Sequence, residues 1–362
     1  MFENFKVFET TFAGKPIQFE VGKMCALAGG STLVRYGDTT VLCNVTMSDK
    51  PREGIDFFPL SVDFEEKLYA VGKIPGSFLK REGRPSDKAI LASRLVDRPI
   101  RPLFPKDMRN DVGVVMTVMS ANQDYQPEIA GMLGVSFALS ISDIPWNGPI
   151  AGVNVGYVDG EYILNPDEAQ REVSEMFLTI VGNGDTICMI EAAAHEVAEE
   201  LIMGGIKAAA PEIKRLVEFI KDVQAQIGKT KIPFEPKNVP EELLSALKDE
   251  FTAQMQHAMD TDDKNVREAR LQPLKEEIHQ RFDSEYPEQL YLIDEGIYLL
   301  QKHVVRQWLL QGKRVDGRGM NEMRPLDAQV GLIPRVHGSG MFTRGQTQCL
   351  TIATLGPMSD RQ

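Results

Sequence analysis

The sequence predicts an α+β protein, strands and helices mixed in a first unit, with a purely helical stretch after it. Three observations carry this. Short alternating apolar runs divided by glycine turns fill the first 65 residues and recur between residues 153 and 191. Helical-period segments lie between those two groups of strands. From Glu241 onward the chain consists almost entirely of helix formers, rich in charge.

In chain order, Ile17-Gln18-Phe19-Glu20-Val21 alternates, as does much of Ser31 to Met47, with Gly37-Asp38 placed as a hairpin turn. Ser86 caps a helix with Asp87 in its first turn, Ile90, Leu91 and Leu95 recur at helical spacing, and Pro99 closes it. Asp111 to Ser120 is a valine-rich strand. Ile129 to Leu139 is a small-residue helix suited to close packing on a sheet. Val153 to Leu164 and Met176 to Glu191 read as strands turned at Gly160 and Gly182-Asn183-Gly184. Glu196 to Ile227 is a helical pattern broken by Gly204-Gly205 and Pro211. Residues 228–240 carry three prolines and read as a stiff linker. Glu241 to Phe282 is helical, and Glu288 to Gln311 is a second strong helix with Leu290, Ile293, Ile297, Leu300, Val304 and Trp308 on one face. That stripe is an ordinary helix-packing core.

Composition bounds the function classes. The 362 residues exceed one ordinary core, and 43% hydrophobic with 25% charged residues is the balance of a soluble globular protein. No run approaches the roughly 18 apolar residues of a membrane span, and MFENFKVFETTF lacks the features of a signal peptide, so a cytoplasmic protein without membrane association is expected. Cys25, Cys43, Cys188 and Cys349 are scattered, as are the five histidines, so neither a zinc site nor a histidine-based catalytic motif is expected.

The net charge of -12 argues against nucleic acid until its distribution is seen. From Lys73 to Arg109 ten basic residues oppose four acids, an excess of +6. Within this island Phe78-Leu79-Lys80-Arg81, between Gly76 and Gly83, pairs an aromatic face with cations. A base stacks on the one while the others neutralise backbone phosphates; the bland alternative is a solvated basic loop. Arg84 precedes the Ser86 cap, where a phosphate can sit at a helix N-terminus. Arg94, Arg98 and Arg101 either line RNA or pair with Asp97 and acids elsewhere, and sequence does not choose.

A repeat reorganises this reading. Residues 30–46, GSTLVRYGDTTVLCNVT, and 338–354, GSGMFTRGQTQCLTIAT, match at a constant offset of 308, with Gly30, Ser31, Gly37, Thr39, Leu42 and Thr46 meeting identical residues. The expectation is one full copy of a domain, a helical insert, and the opening of a second copy, hence part of something longer.

With these residues in view, GSFLKREGRPSDKAILASRLVDRPIRPLFP (residues 76–105) resembles the RNA-facing segment of the first RNase PH-like domain of polynucleotide phosphorylases. KRVDGR from Lys313 is similar to the motif that opens RNase PH-type domains, and PRVHGSGMFTRGQTQCL to the family's second opening hairpin. The resemblance implies RNase PH-like domains of the ribosomal-protein-type β-α-β-α fold. It sets a first such domain at 1–227, a linker at 228–240, an all-helical domain at 241–311, and the opening of a second at 312–362. It implies single-stranded RNA, inorganic phosphate and nucleoside diphosphates as substrates, Mg2+ as cofactor, a homotrimeric ring and RNA-degradation partners. It also makes residues 78–84 the channel-constricting loop, although Leu79 departs from the commoner double-aromatic form. The family's serine-rich phosphate pocket and metal-binding carboxylates belong to the second domain, and no position up to Gln362 matches them, so no catalytic or metal residue is named. The expected activity is phosphorolytic 3′-to-5′ exoribonucleolysis, with catalysis absent from this chain alone. The alternative is a non-catalytic RNA-binding ring subunit of an exosome-like assembly. A small-molecule phosphotransferase lacks support, because the chain has no P-loop.

Overall fold

The computed structural model describes residues 3–52, 55, 57–76, 80–234, 238–287 and 289–360. Two compact units emerge, Met1–Pro236 and Lys237–Gln362.

The first unit is α+β. Strands β1 (Lys6–Phe12), β2 (Lys15–Val21), β3 (Gly30–Tyr36), β4 (Thr39–Pro51), β5 (Leu60–Glu66) and β6 (Asn110–Ser120) form a sheet in the order β1-β2-β3-β4-β6-β5. Every pairing is antiparallel except β5 with β6, which runs parallel. A parallel pair needs a crossover, and helix α1 (Asp87–Ile100) lies in it. Helix α2 (Pro127–Ile141) follows β6, giving the β-α-β-α order. A second sheet, ordered β10-β9-β7-β8, is built from β7 (Ala151–Val158), β8 (Glu161–Leu164), β9 (Met176–Gly182) and β10 (Ile187–Ala194). The short helix α3 (Glu168–Val173) and the long helix α4 (Glu199–Ile227) complete the unit.

The core gathers around α2, which packs on β3 and β4, on β7 and on α4. Phe137 of α2 stacks on Phe19 with centroids 4.7 Å apart. Small residues permit this approach: a Cβ on Gly134 would stand 2.5 Å from Cys43 Sγ and 2.6 Å from Val34 Cγ2. Trp146 is buried and donates Nε1–H to the Ile100 carbonyl at 3.1 Å.

The break expected at Gly204-Gly205 and Pro211 does not occur; α4 is one continuous helix of 29 residues. Packing overrides local propensity. Gly205 lies against Leu178 and Met176, and beyond the proline Ile213, Leu216, Val217, Ile220 and Val223 bury one face. Glu212 accepts from Ala13 N–H at 2.7 Å, and Arg215 bonds Thr10 and Thr11, tying α4 to the first strand. The proline-rich stretch after α4 is anchored at its start: Lys229 N–H and Ile232 N–H donate to Ile141 and Asp143 carbonyls. Lys231 Nζ caps the end of α2 through Leu139, Ser140 and Ser142 carbonyls.

In the second unit the run from Glu241 to Phe282 is two helices, not one: α5 (Glu241–Met259) and α6 (Lys264–Phe282). Asp263 divides them, accepting from Asn265 and Val266 N–H as an N-cap. Helix α7 (Leu290–Leu310) packs on both, and Leu247, Met255, Ile278, Ile293, Leu300 and Val304 form their core. Strands β11 (Leu326–Val330), β12 (Gly338–Arg344) and β13 (Thr347–Ala353) form an antiparallel meander.

The repeat is visible in register. Gly30 pairs with Val45 and Tyr36 with Thr39; 308 residues later Gly338 pairs with Ala353 and Arg344 with Thr347. Gly37 and Gly345 take φ of 56° and 61° in the two turns, a region that glycine enters without steric cost. Val34 is wholly buried, whereas its counterpart Phe342 is about half exposed. No described helix is long and apolar enough to cross a membrane.

Candidate nucleic-acid interface

The basic island occupies the loop between β5 and α1, then α1 itself. Lys80, Arg81 and Arg84 are all exposed, and Lys80 sits at φ 47°, in the left-handed region that few lysines adopt. Phe78, the expected stacking residue, lies outside the described residues. Arg81 and Arg84 line an open cleft of about 690 Å³ beside the end of β5 and the start of α1.

That cleft is mixed in charge. Asp63, Glu65, Glu66 and Glu82 line it with Lys67, Arg81 and Arg84. Lys67 pairs with Glu65 at 3.0 Å, which holds its ammonium above the usual lysine range. Glu82 accepts from Leu68 N–H at 3.3 Å. Ser86 caps α1, accepting from Ala89 N–H at 3.0 Å, and donates its hydroxyl to Glu66 at 2.6 Å. The N-terminus of α1 therefore already faces the carboxylates of Glu66 and Asp87, which compete with a phosphate there. From Asp63 to Arg109 the excess is +4, against +6 from Lys73, because Asp63, Glu65 and Glu66 outnumber Lys67.

Helix α1 buries Ala89, Ala92, Val96 and Ile100 and turns Arg94 and Arg98 to solvent. The three arginines left open by sequence separate here. Arg94 has no partner among the described residues. Arg98 meets Glu191 at 2.9 Å, a surface pair of small energetic weight. Arg101 is committed to structure: its guanidinium grips both Asp97 oxygens at 2.6 and 3.0 Å. It also donates to the Phe58 and Leu60 carbonyls at 3.3 and 3.1 Å.

In the second unit the Lys313 to Arg318 motif is largely self-satisfied. Lys313 pairs with Asp260 at 2.7 Å and stands 4.5 Å over the Trp308 ring. Arg314 donates to the Met320 and Glu322 carbonyls. Arg318 bonds Asp316 at 2.8 Å and holds that carboxyl below the usual range. Among the described residues no three His, Cys, Asp or Glu side chains gather as a metal-binding cluster.

Comparison with known proteins places this geometry. A family model described as "3' exoribonuclease family, domain 1" matches residues 13–145, and its "domain 2" counterpart matches 148–211. One described as "Polyribonucleotide nucleotidyltransferase, RNA binding domain" matches 242–319, the helical stretch to which the sequence reading had assigned only packing. A polyribonucleotide nucleotidyltransferase of Ruminiclostridium cellulolyticum is 52% identical over 359 residues, covering 99% of this chain and 51% of the relative. The protein of that name from Clostridioides difficile strain 630 is 50% identical over 366 residues, covering 100% and 52%. The chain thus spans about half the length of the curated relatives it matches. Among solved structures, rice (Oryza sativa) Rrp46 aligns with a TM-score of 0.46 at 16% identity, covering 62% of this chain and 96% of its own. With two domain models of one family spanning more than half of its residues and relatives near 50% identity along all of it, the chain belongs to the 3′ exoribonuclease family, in its polyribonucleotide nucleotidyltransferase branch.

Proposed function

We propose that this chain is the RNA-guiding part of a phosphorolytic 3′-to-5′ exoribonuclease, a polyribonucleotide nucleotidyltransferase acting in the cytoplasm as a homotrimeric ring. The observation that carries the reading is similarity near 50% identity, along all of this chain and about half of each relative, to proteins of that name. In the reaction a phosphate oxygen attacks the phosphorus of the last linkage. The O3′ of the preceding nucleotide leaves and takes a proton, and a nucleoside 5′-diphosphate is released. Magnesium would stabilise charge on the transferring phosphoryl group, and its ligands lie outside the described residues, as do the catalytic groups. The organisation we propose is a first RNase PH-like domain, a linker near residues 228–240, an all-helical domain to about residue 311, and the opening of a second RNase PH-like domain.

Within this chain RNA is held by Phe78, Lys80 and Arg81, with Arg84, Arg94 and Arg98 as outer phosphate contacts. Arg101 supports the scaffold. A second contact lies on α7, where exposed Tyr298, Lys302 and Arg306 recur at i+4 spacing on one face.

Two experiments test the reading. Oligoadenylate, phosphate and magnesium are incubated with the 362-residue chain and ADP is measured. None is expected, and release at the rate of a full-length relative overturns the placement of catalysis. In an assembled ring, Lys80→Ala with Arg81→Ala lowers the salt slope of RNA binding by about 1.4, and Phe78→Ala removes about 1–3 kcal/mol. Both effects are the same on oligoadenylate and oligouridylate. An unchanged affinity and slope in the double variant shows the loop to be a solvated surface.

A further inference from the structure

A second cleft, of about 260 Å³, lies between α1 and the second sheet and shares no lining residue with the cleft beside the basic loop. One wall is a face of α1: Lys88, Leu91, Ala92 and Leu95 fall at i, i+3, i+4 and i+7. The other is the sheet face that α4 does not cover. Register places Asn154, Thr179 and Glu191 in one row across β7, β9 and β10, with Phe177 and Ala193 paired in the row beside it.

Three polar members of this cleft, Thr179, Asn154 and Glu191, are partnered. Thr179 donates to Asn154 Oδ1 at 2.8 Å, Asn154 Nδ2 donates to Gln126 at 2.5 Å, and Glu191 receives Arg98 at 2.9 Å. Glu128, in the first turn of α2, also lines the cleft, and its Oε2 is buried with no hydrogen-bond partner among the described residues. A buried carboxylate oxygen left unpaired is costly, so this position calls for a donor. Leu91 is 63% exposed on the opposite wall, and Phe177 is half-buried, so an apolar body would also be favoured. Lys88 is exposed with no partner among the described residues, free to meet an anion.

We propose that this cleft is a mononucleotide site. A nucleobase bearing an exocyclic amine lies against Leu91, Leu95 and Phe177, gives an N–H to Glu128, and its phosphate meets Lys88. Adenine, cytosine and guanine carry such an amine. Uracil has one ring N–H flanked by carbonyl oxygens, which bring acceptors against the carboxylate. The site is independent of the loop proposed to hold RNA, and its test leaves that loop intact.

Binding of AMP, UMP and adenosine to the whole chain is measured by calorimetry and by ligand-observed NMR. AMP is expected to bind saturably, about tenfold tighter than UMP, the worth of one charge-assisted hydrogen bond. Glu128→Leu abolishes AMP binding. Glu128→Gln, which keeps the side-chain shape, weakens it about tenfold. Lys88→Met reduces AMP to the affinity of adenosine, and Lys80→Ala with Arg81→Ala changes nothing. Absence of AMP binding, equal binding of AMP and UMP, or full binding by either Glu128 variant overturns the proposal.

Discussion

Gly30 and Gly338 occupy the same place in the two hairpins, yet alanine should have opposite consequences at each. A Cβ on Gly30 would stand 2.3 Å from the carbonyl oxygen of Ala138 and 3.0 Å from Ser142 Cβ, at the end of α2. Reaching ordinary contact requires a shift of roughly 1 Å in backbone, which cannot rotate away as a side chain would. Overpacking of this kind costs about 1–3 kcal/mol. The displaced carbonyl accepts the closing Ser142 N–H bond of α2 at 3.1 Å, and losing that bond adds about 0.5–1.5 kcal/mol. For a unit of this size the sum lowers the melting temperature by roughly 5–15 °C. On Gly338 the nearest neighbour would be Ala353 Cβ at 3.5 Å, an ordinary contact, and its φ is not in the left-handed region. Gly338→Ala should therefore be neutral or stabilise by up to about 1 kcal/mol through the unfolded chain. Each unit has its own buried tryptophan, Trp146 in the first and Trp308 in the second. Thermal melts followed by fluorescence in Trp308→Phe and Trp146→Phe backgrounds assign each effect to its unit. Equal shifts at the two glycines would refute the steric reasoning.

Further outcomes follow from the same geometry. Burial of His279 opposes its charge, but hydrogen bonds to Asp283 at 2.8 Å and Asp294 at 3.2 Å outweigh this and raise its pKa above the ordinary value. A raised folded pKa gives stability that is full below about pH 6.5 and fades as pH climbs through the folded value. The melting temperature of the helical unit should fall across that window in the native chain, and the fall should flatten in His279→Gln. Arg101→Ala should lower the stability of the first unit by at least about 1.5 kcal/mol in urea titrations, since its bonds to Asp97 and two carbonyls vanish together. Arg94→Ala should leave that midpoint unmoved while weakening RNA binding; a matching loss of stability would mean that Arg94 has a structural partner. Lys231→Met strips three carbonyls at the end of α2 of their ammonium and should cost about 1–3 kcal/mol in the same titration.

How much of this could be read from sequence depended on whether the cause was local. Ser86 as a cap, the turn at Gly37, and the offset of 308 all rest on neighbours in the chain, and each appears in the structure as a hydrogen bond, a dihedral or a pairing. The continuity of α4 rests on packing against strands that precede it, so glycine and proline pointed the wrong way. The division of α5 from α6 was legible in principle, since Asp263 is a strong cap, but unbroken helix formers on both sides hid it. Arg101 could not be assigned because two of its acceptors, on Phe58 and Leu60, are about forty residues away. Three of the acids that share the cleft with Arg81 and Arg84, Asp63, Glu65 and Glu66, come from β5, upstream of the basic island in the chain. Glu128 gave no signal at all, since an unpaired oxygen is a property of three elements meeting.

Helix α2 is enclosed on every side: all thirteen residues from Ile129 to Ile141 are buried. A helix shared in this way between two sheets makes them open together, because neither can separate without exposing it. Amide hydrogen exchange along α2 should then proceed only through complete unfolding of the unit, with one common free energy from end to end. The two sheets should behave as a single cooperative block in deuterium uptake, and β1 and β8, at sheet edges, should exchange first.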